Sequence, residues 1–71
     1  MFQVHVQHLL DDDWEARDVQ LQLLAGRKWD YSWADRFNRY LSWSVATFAE
    51  AKGWQKVLAG VKGTTVTVRE K

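Results

Sequence analysis

SWADRFNRYLSWSVATFAEAKG, residues 32–53, occupies the middle of the chain and sets how everything around it is read. Ser32 is a favoured helix N-cap, and Asp35 follows three residues later, where a negative charge meets the positive end of a helix. Trp33, Phe37, Tyr40, Leu41, Ser44, Phe48 and Ala51 then recur at helical spacing. Gly53, after Lys52, offers a left-handed exit. The spacing predicts a helix over residues 33–52. Ser44, small and in the middle of an aromatic stripe, implies close approach to a facing backbone.

On the N-terminal side, residues 2–8 place Phe2, Val4 and Val6 on one face and Gln3, His5 and Gln7 on the other, the period of a half-buried strand. Asp11-Asp12-Asp13 ends it as a polar turn. Residues 14–24 admit two readings. Val19-Gln20-Leu21-Gln22-Leu23 alternates like a strand pairing back on the first. Asp12 with Glu15 resembles a capping box, and Gly26 a helix exit. On a helical wheel Val19 and Leu23 fall opposite Trp14, Leu21 and Leu24, which suits a surface helix poorly. The strand is preferred, with an irregularity near Arg17-Asp18. Residues 54–60 fit a short strand or a helical turn, and Thr64 to Arg69, rich in β-branched side chains, fit a strand. The expected fold is α+β: a small two-layer domain, one central helix (about 33–52) on an antiparallel sheet, in the order β-β-α-(β)-β. Its expected core sets Phe37, Leu41 and Phe48 against Val4, Val6, Leu21 and Val66.

Seventy-one residues allow one domain, and a core of this size needs help. There is no cysteine, hence no disulfide and no thiolate metal site. Five tryptophans supply dense aromatic packing instead and leave room for self-association, a homodimer. The opening Met-Phe-Gln-Val-His-Val lacks the basic-then-apolar pattern of a secretory signal. No apolar run approaches the roughly 18 residues of a membrane span. A cytoplasmic protein without membrane partners is expected. Net charge is +1, but residues 1–35 carry three basic and seven acidic side chains and residues 36–71 seven and two. Such asymmetry either steers a partner or neutralises itself across the fold.

The chemistry-bearing residues are few. His5 and His8, three apart on a strand, point to opposite faces and cannot share a metal without a bend. Asp11, Asp12 and Asp13 solvate a turn or contact a basic partner, and they lack the glycine and distal glutamate of a calcium loop. Gly53, Gly60 and Gly63 are spaced for turns, not for a phosphate loop. No catalytic grouping, metal site or cofactor motif emerges. Trp43 falls about 120° from the centre of the helical stripe. Its neighbours there are Arg36, Arg39, Thr47 and Glu50. Either Arg39 or a loop covers the ring, or Trp43, Arg36, Arg39 and Glu50 form a docking face.

In size, lack of cysteine and lack of catalytic motif the chain is similar to small phage-encoded inhibitors, including anti-CRISPR proteins. The likeness is one of type, and no residue role is carried over from it. It implies a non-enzymatic protein-binding module, an inhibitor or adaptor that occludes a larger protein or protein complex. The expected partner-binding residues are Trp43, Arg36, Arg39, Glu50, Asp11, Asp12 and Asp13. A second reading is a nucleic-acid-binding accessory protein that stacks a single strand on Trp43 between the arginines. A third is a structural subunit of an assembly.

Overall fold

A period of two governs the segment that helical spacing claims. In the computed structural model, which covers residues 1–71, the chain runs β1 (Phe2–Leu9), α1 (Trp14–Ala25), β2 (Tyr31–Ala34), β3 (Asn38–Val45), α2 (Phe48–Leu58) and β4 (Thr64–Glu70). The strands form one sheet in the order β2-β3-β1-β4, with every neighbouring pair antiparallel. The fold is α+β with an antiparallel sheet, as the sequence predicts. It has two helices and the order β-α-β-β-α-β, the split β-α-β arrangement of ferredoxin-like domains. No helix is long and apolar enough to cross a membrane.

The predicted helix over 33–52 is therefore a hairpin followed by the start of α2. Arg39, Leu41, Trp43 and Val45 share one face of β3, and Asn38, Tyr40, Ser42 and Ser44 the other. The apparent N-terminal signals belong to the turn. Asp35 Oδ1 accepts hydrogen bonds from the N–H groups of Phe37 (2.9 Å) and Asn38 (2.8 Å). An aspartate that satisfies the N–H groups two and three residues on serves a reverse turn as readily as a helix cap. Ser32, the expected cap, lies inside β2. The true cap is Thr47, whose hydroxyl accepts from Glu50 N–H at 3.1 Å and donates to Glu50 Oε1 at 3.2 Å. Residues 54–58 continue that helix, so Gly53 lies within it rather than at its exit.

Residues 14–25 are helix α1, not the preferred strand. Trp14, Asp18, Leu21 and Ala25 face inward at helical spacing, and the stripe was hidden because one member is an aspartate. Val19 and Leu23, which made the strand-like alternation, lie exposed on the outer side. Gly26 ends α1 in the left-handed conformation, φ 78°, where its N–H reaches back to Gln22 and Leu23 carbonyls.

Both helices pack on one face of the sheet. The core joins Val4, Val6, Leu41, Trp43 and Val45 of the sheet to Leu21, Ala51 and Leu58 of the helices, with Val61 closing the end. Trp43 is fully buried. Trp29 meets it edge-on at 6.4 Å and Trp54 tilts onto it at 6.0 Å. Its indole N–H donates to the Arg27 carbonyl at 3.0 Å. Leu41, Val4, Val6 and Leu21 occupy the core as expected, whereas Phe37 (68% exposed) and Phe48 (55% exposed) do not. Phe37 sits in the hairpin turn and Phe48 opens α2, where it packs edge-on against Phe2.

Candidate functional site on the open face of the sheet

Two polar regions could carry function, one under the helices and one on the uncovered side of the sheet. The first is a chain of charged groups between β1, α1 and β3. His8 Nε2 lies 2.8 Å from Asp18 Oδ1, and both side chains are buried. Arg39 Nε donates to Asp18 Oδ2 at 2.9 Å. Arg17 Nε donates to His8 Nδ1 at 3.2 Å and its Nη2 to the Leu9 carbonyl at 2.7 Å, with Asp11 Oδ1 as a further acceptor. His8 Nδ1 also lies 3.3 Å from the Leu9 carbonyl. Both ring nitrogens are thus engaged and neither is free to activate a nucleophile. The Arg39 guanidinium lies 5.3 Å from the Trp14 ring and 5.5 Å from the Trp29 ring, within cation–π range of both. The cluster ties α1 to the sheet.

This arrangement redistributes the residues expected to form a docking face. Trp43, the proposed centre, is in the core, because β3 alternates and Trp43 falls on its inner side. Arg39 is on the same inner side, paired with Asp18. Arg36 is exposed in the β2–β3 turn, its guanidinium 5.7 Å from the Phe37 ring. Glu50 accepts from the Thr47 cap of α2. Asp11, Asp12 and Asp13 form the exposed β1–α1 turn, and only Asp11 is drawn into the polar chain, through Arg17. The Arg17 guanidinium and the Asp13 N–H hold the Asp11 carboxyl below its ordinary value despite some desolvation. The one side these residues would share on a helix does not exist.

The open face is where aromatic and polar side chains converge. Tyr31 and Trp33 of β2 and Tyr40 of β3 point to it, with Gln3, His5 and Gln7 of β1 and Thr65, Thr67 and Arg69 of β4. Together they wall a trough of about 340 Å³. Trp33 stacks on Tyr40 with ring centres 3.9 Å apart and planes 14° off parallel. Tyr40 in turn stacks on His5 at 5.7 Å, giving a row of three rings across three strands. Tyr40 O–H donates to Asp35 Oδ2 at 3.0 Å. Desolvation, then Asp35, raises the phenol above its ordinary value. Burial, then the Arg69 charge, pushes the His5 imidazole below its ordinary value, so the row is neutral at pH 7. At the floor, Ser42 is 3% exposed and its Oγ has no hydrogen-bond partner in the protein.

The alternation of residues 2–8 places Gln3, His5 and Gln7 on one side of β1, whereas helical spacing claims Trp33 and Tyr40 and leaves Tyr31 unassigned. The missed signal is Tyr31-x-Trp33 followed by Tyr40-x-Ser42-x-Ser44, two alternating runs around an aspartate turn. The fold and this face define a small split β-α-β domain with an exposed aromatic sheet surface. No family model, no curated protein and no solved structure matches the chain. No group of three or more His, Cys, Asp or Glu side chains is placed to hold a metal ion.

Proposed function

We propose that this protein is a small non-enzymatic binding module whose working surface is the open face of its sheet. The observation that carries the reading is the Trp33–Tyr40–His5 row beside a buried, unpartnered Ser42 hydroxyl. Large rings left at a surface commonly sit where contacts are made. A buried hydroxyl without a partner calls for an explanation, and a bound group is one. The buried histidine, His8, has both nitrogens engaged within the fold. Such a module acts by occupying its partner, which keeps the inhibitor or adaptor reading and moves its contact surface from the helix side to the sheet. Arg36 and Phe37, exposed on the β2–β3 turn next to Trp33, extend that surface at one end.

The test blocks the face without touching the core. Thr65 and Thr67 are exposed on it, and Gln20 is exposed on the outside of α1. Capture from a cell lysate is compared for the wild type, Thr65→Glu with Thr67→Glu, and Gln20→Glu, each first checked for a cooperative melt. Loss of the captured partner in the threonine double variant alone is the expected result. Loss with Gln20→Glu and retention with the double variant would move the working surface to the helices.

A further inference from the structure

The helices cover the core on one side and leave their own outer side to solvent. Val19, Leu23 and Leu24 of α1 are exposed there, with Val57 of α2. Leu23, at 76%, is the most exposed large apolar side chain in the molecule. It lies on the crest of α1, opposite the inward Trp14, Asp18, Leu21 and Ala25. Beside it, Leu24, Ala25, Gly53, Trp54, Val57 and Leu58 line a cleft of about 190 Å³ between the helices. A cavity of roughly 150 Å³ holds benzene, so this one takes a leucine side chain. Gly53 keeps it open, with nothing within 4 Å of where a Cβ would stand. A crest leucine cannot reach the cleft of its own chain. A protruding leucine and a vacant apolar cleft on one surface are the two halves of an isologous contact.

Charge selects the same partner. The helices run in opposite directions: Leu24 and Ala25 flank Trp54 and Val57, whereas Asp13, Ala16 and Gln20 flank Gly60, Val61 and Lys62. A two-fold axis between the helices and parallel to them lays α1 of one copy on α2 of the other and keeps each residue at its own level. Leu23 of each copy then meets the cleft of the other. At one end Asp12 and Asp13 face Lys56 and Lys62, and at the other Lys28 faces Glu50. None of these six side chains is in an ion pair within its own chain. An axis across the helices instead sets the Leu23 end over the Asp13 end, apolar against charged. A stable interface takes about 800 Å² from each partner, about a sixth of the 4632 Å² this chain exposes. One broad side of a molecule measuring 34 × 20 × 17 Å can supply it.

We infer that two copies of this chain pair through their helix layers about that axis, each Leu23 entering the cleft of the other copy. Both open sheet faces stay outward, on opposite sides of the dimer, so the pairing is independent of what they bind.

Sedimentation velocity on the whole chain, from about 1 to 100 µM, reads the pairing, because interfaces of this size dissociate at micromolar concentrations or below. The wild type is expected to reach twice its mass of 8.4 kDa. Leu23→Glu, at an exposed position, should keep a cooperative melt and weaken pairing about 10- to 150-fold for each of its two copies in the dimer. Lys62→Glu should weaken it about two- to fivefold per site, and adding Asp13→Lys should recover that loss. Thr65→Glu with Thr67→Glu, on the open face, should leave it unchanged. A wild type still monomeric at about 100 µM overturns the proposal. So does a dimer that survives Leu23→Glu in a folded variant, or one that the threonine double variant breaks, which would set the open faces together. A charge swap that does not recover the loss overturns the axis, and with it the proposal.

Discussion

Trp43 and Trp33 lie on the two strands of one hairpin, on opposite faces of the sheet. Trp43 is held by Trp29, Trp54 and the Arg27 carbonyl, so Trp43→Ala leaves a cavity and an unpaired carbonyl. Such truncations are destabilising by about 3–5 kcal/mol, as much as a core of this size typically supplies. The variant is expected to be unfolded in buffer by circular dichroism. Trp33→Ala removes a stacked cross-strand pair, and its expected effect on a urea melt is only about 1 kcal/mol. A folded Trp43→Ala variant would place that ring outside the core. The sequence showed that Trp43 was unlike its neighbours but assigned the difference to the wrong cause. Off the stripe of a supposed helix it looked exposed; on a strand the same position faces inward. Leu41 was expected in the core and is there, since it points inward under either periodicity.

At the level of elements, β1 and β4 were legible because their alternation is uninterrupted and their residue types agree with it. The hairpin and α1 were not, because each contains a residue that serves two local structures. Asp35 makes the hydrogen bonds of a turn that are also those of a helix cap. Asp18 breaks the apolar stripe of α1 because its burial depends on His8 and Arg39, which are distant in sequence. The glycines give a test with opposite signs. Gly53 lies inside α2 with nothing within 4 Å of where a Cβ would stand. Gly53→Ala should therefore raise stability by about 1 kcal/mol, the difference in helix propensity. Gly26, at φ 78° with equal space around it, should lose about 1–2 kcal/mol on the same change, because an L-residue is strained there. Urea midpoints at constant slope would report both shifts. A destabilising Gly53→Ala would restore that residue as a helix terminator.

The whole molecule exposes 4632 Å², against about 4,600 Å² for a folded monomer of its 8.4 kDa. Its acidic and basic halves meet directly in one buried ion pair, Asp18 with Arg39. Much of the remaining charge is left for solvent or a partner, and pH is the means to read it. His5 faces Arg69 from β4 and the Tyr40 ring from β3, with neutral Gln3, Gln7, Ser42 and Thr67 around it. Its folded value lies below the ordinary 6.5. As pH falls through 6.5, the unfolded chain takes up a proton at His5 that the fold disfavours, so stability is lost. Asp11, Asp30 and Asp35, also lowered, add a second loss only below their ordinary 3.8. Acid should thus weaken the fold between about pH 7 and pH 5. His5→Gln should flatten that dependence. Melting temperature, followed between about pH 8 and pH 5, supplies the curve. A wild-type melt that acid leaves unmoved over that range, or a His5→Gln melt that moves with it, would set His5 free of the packed face.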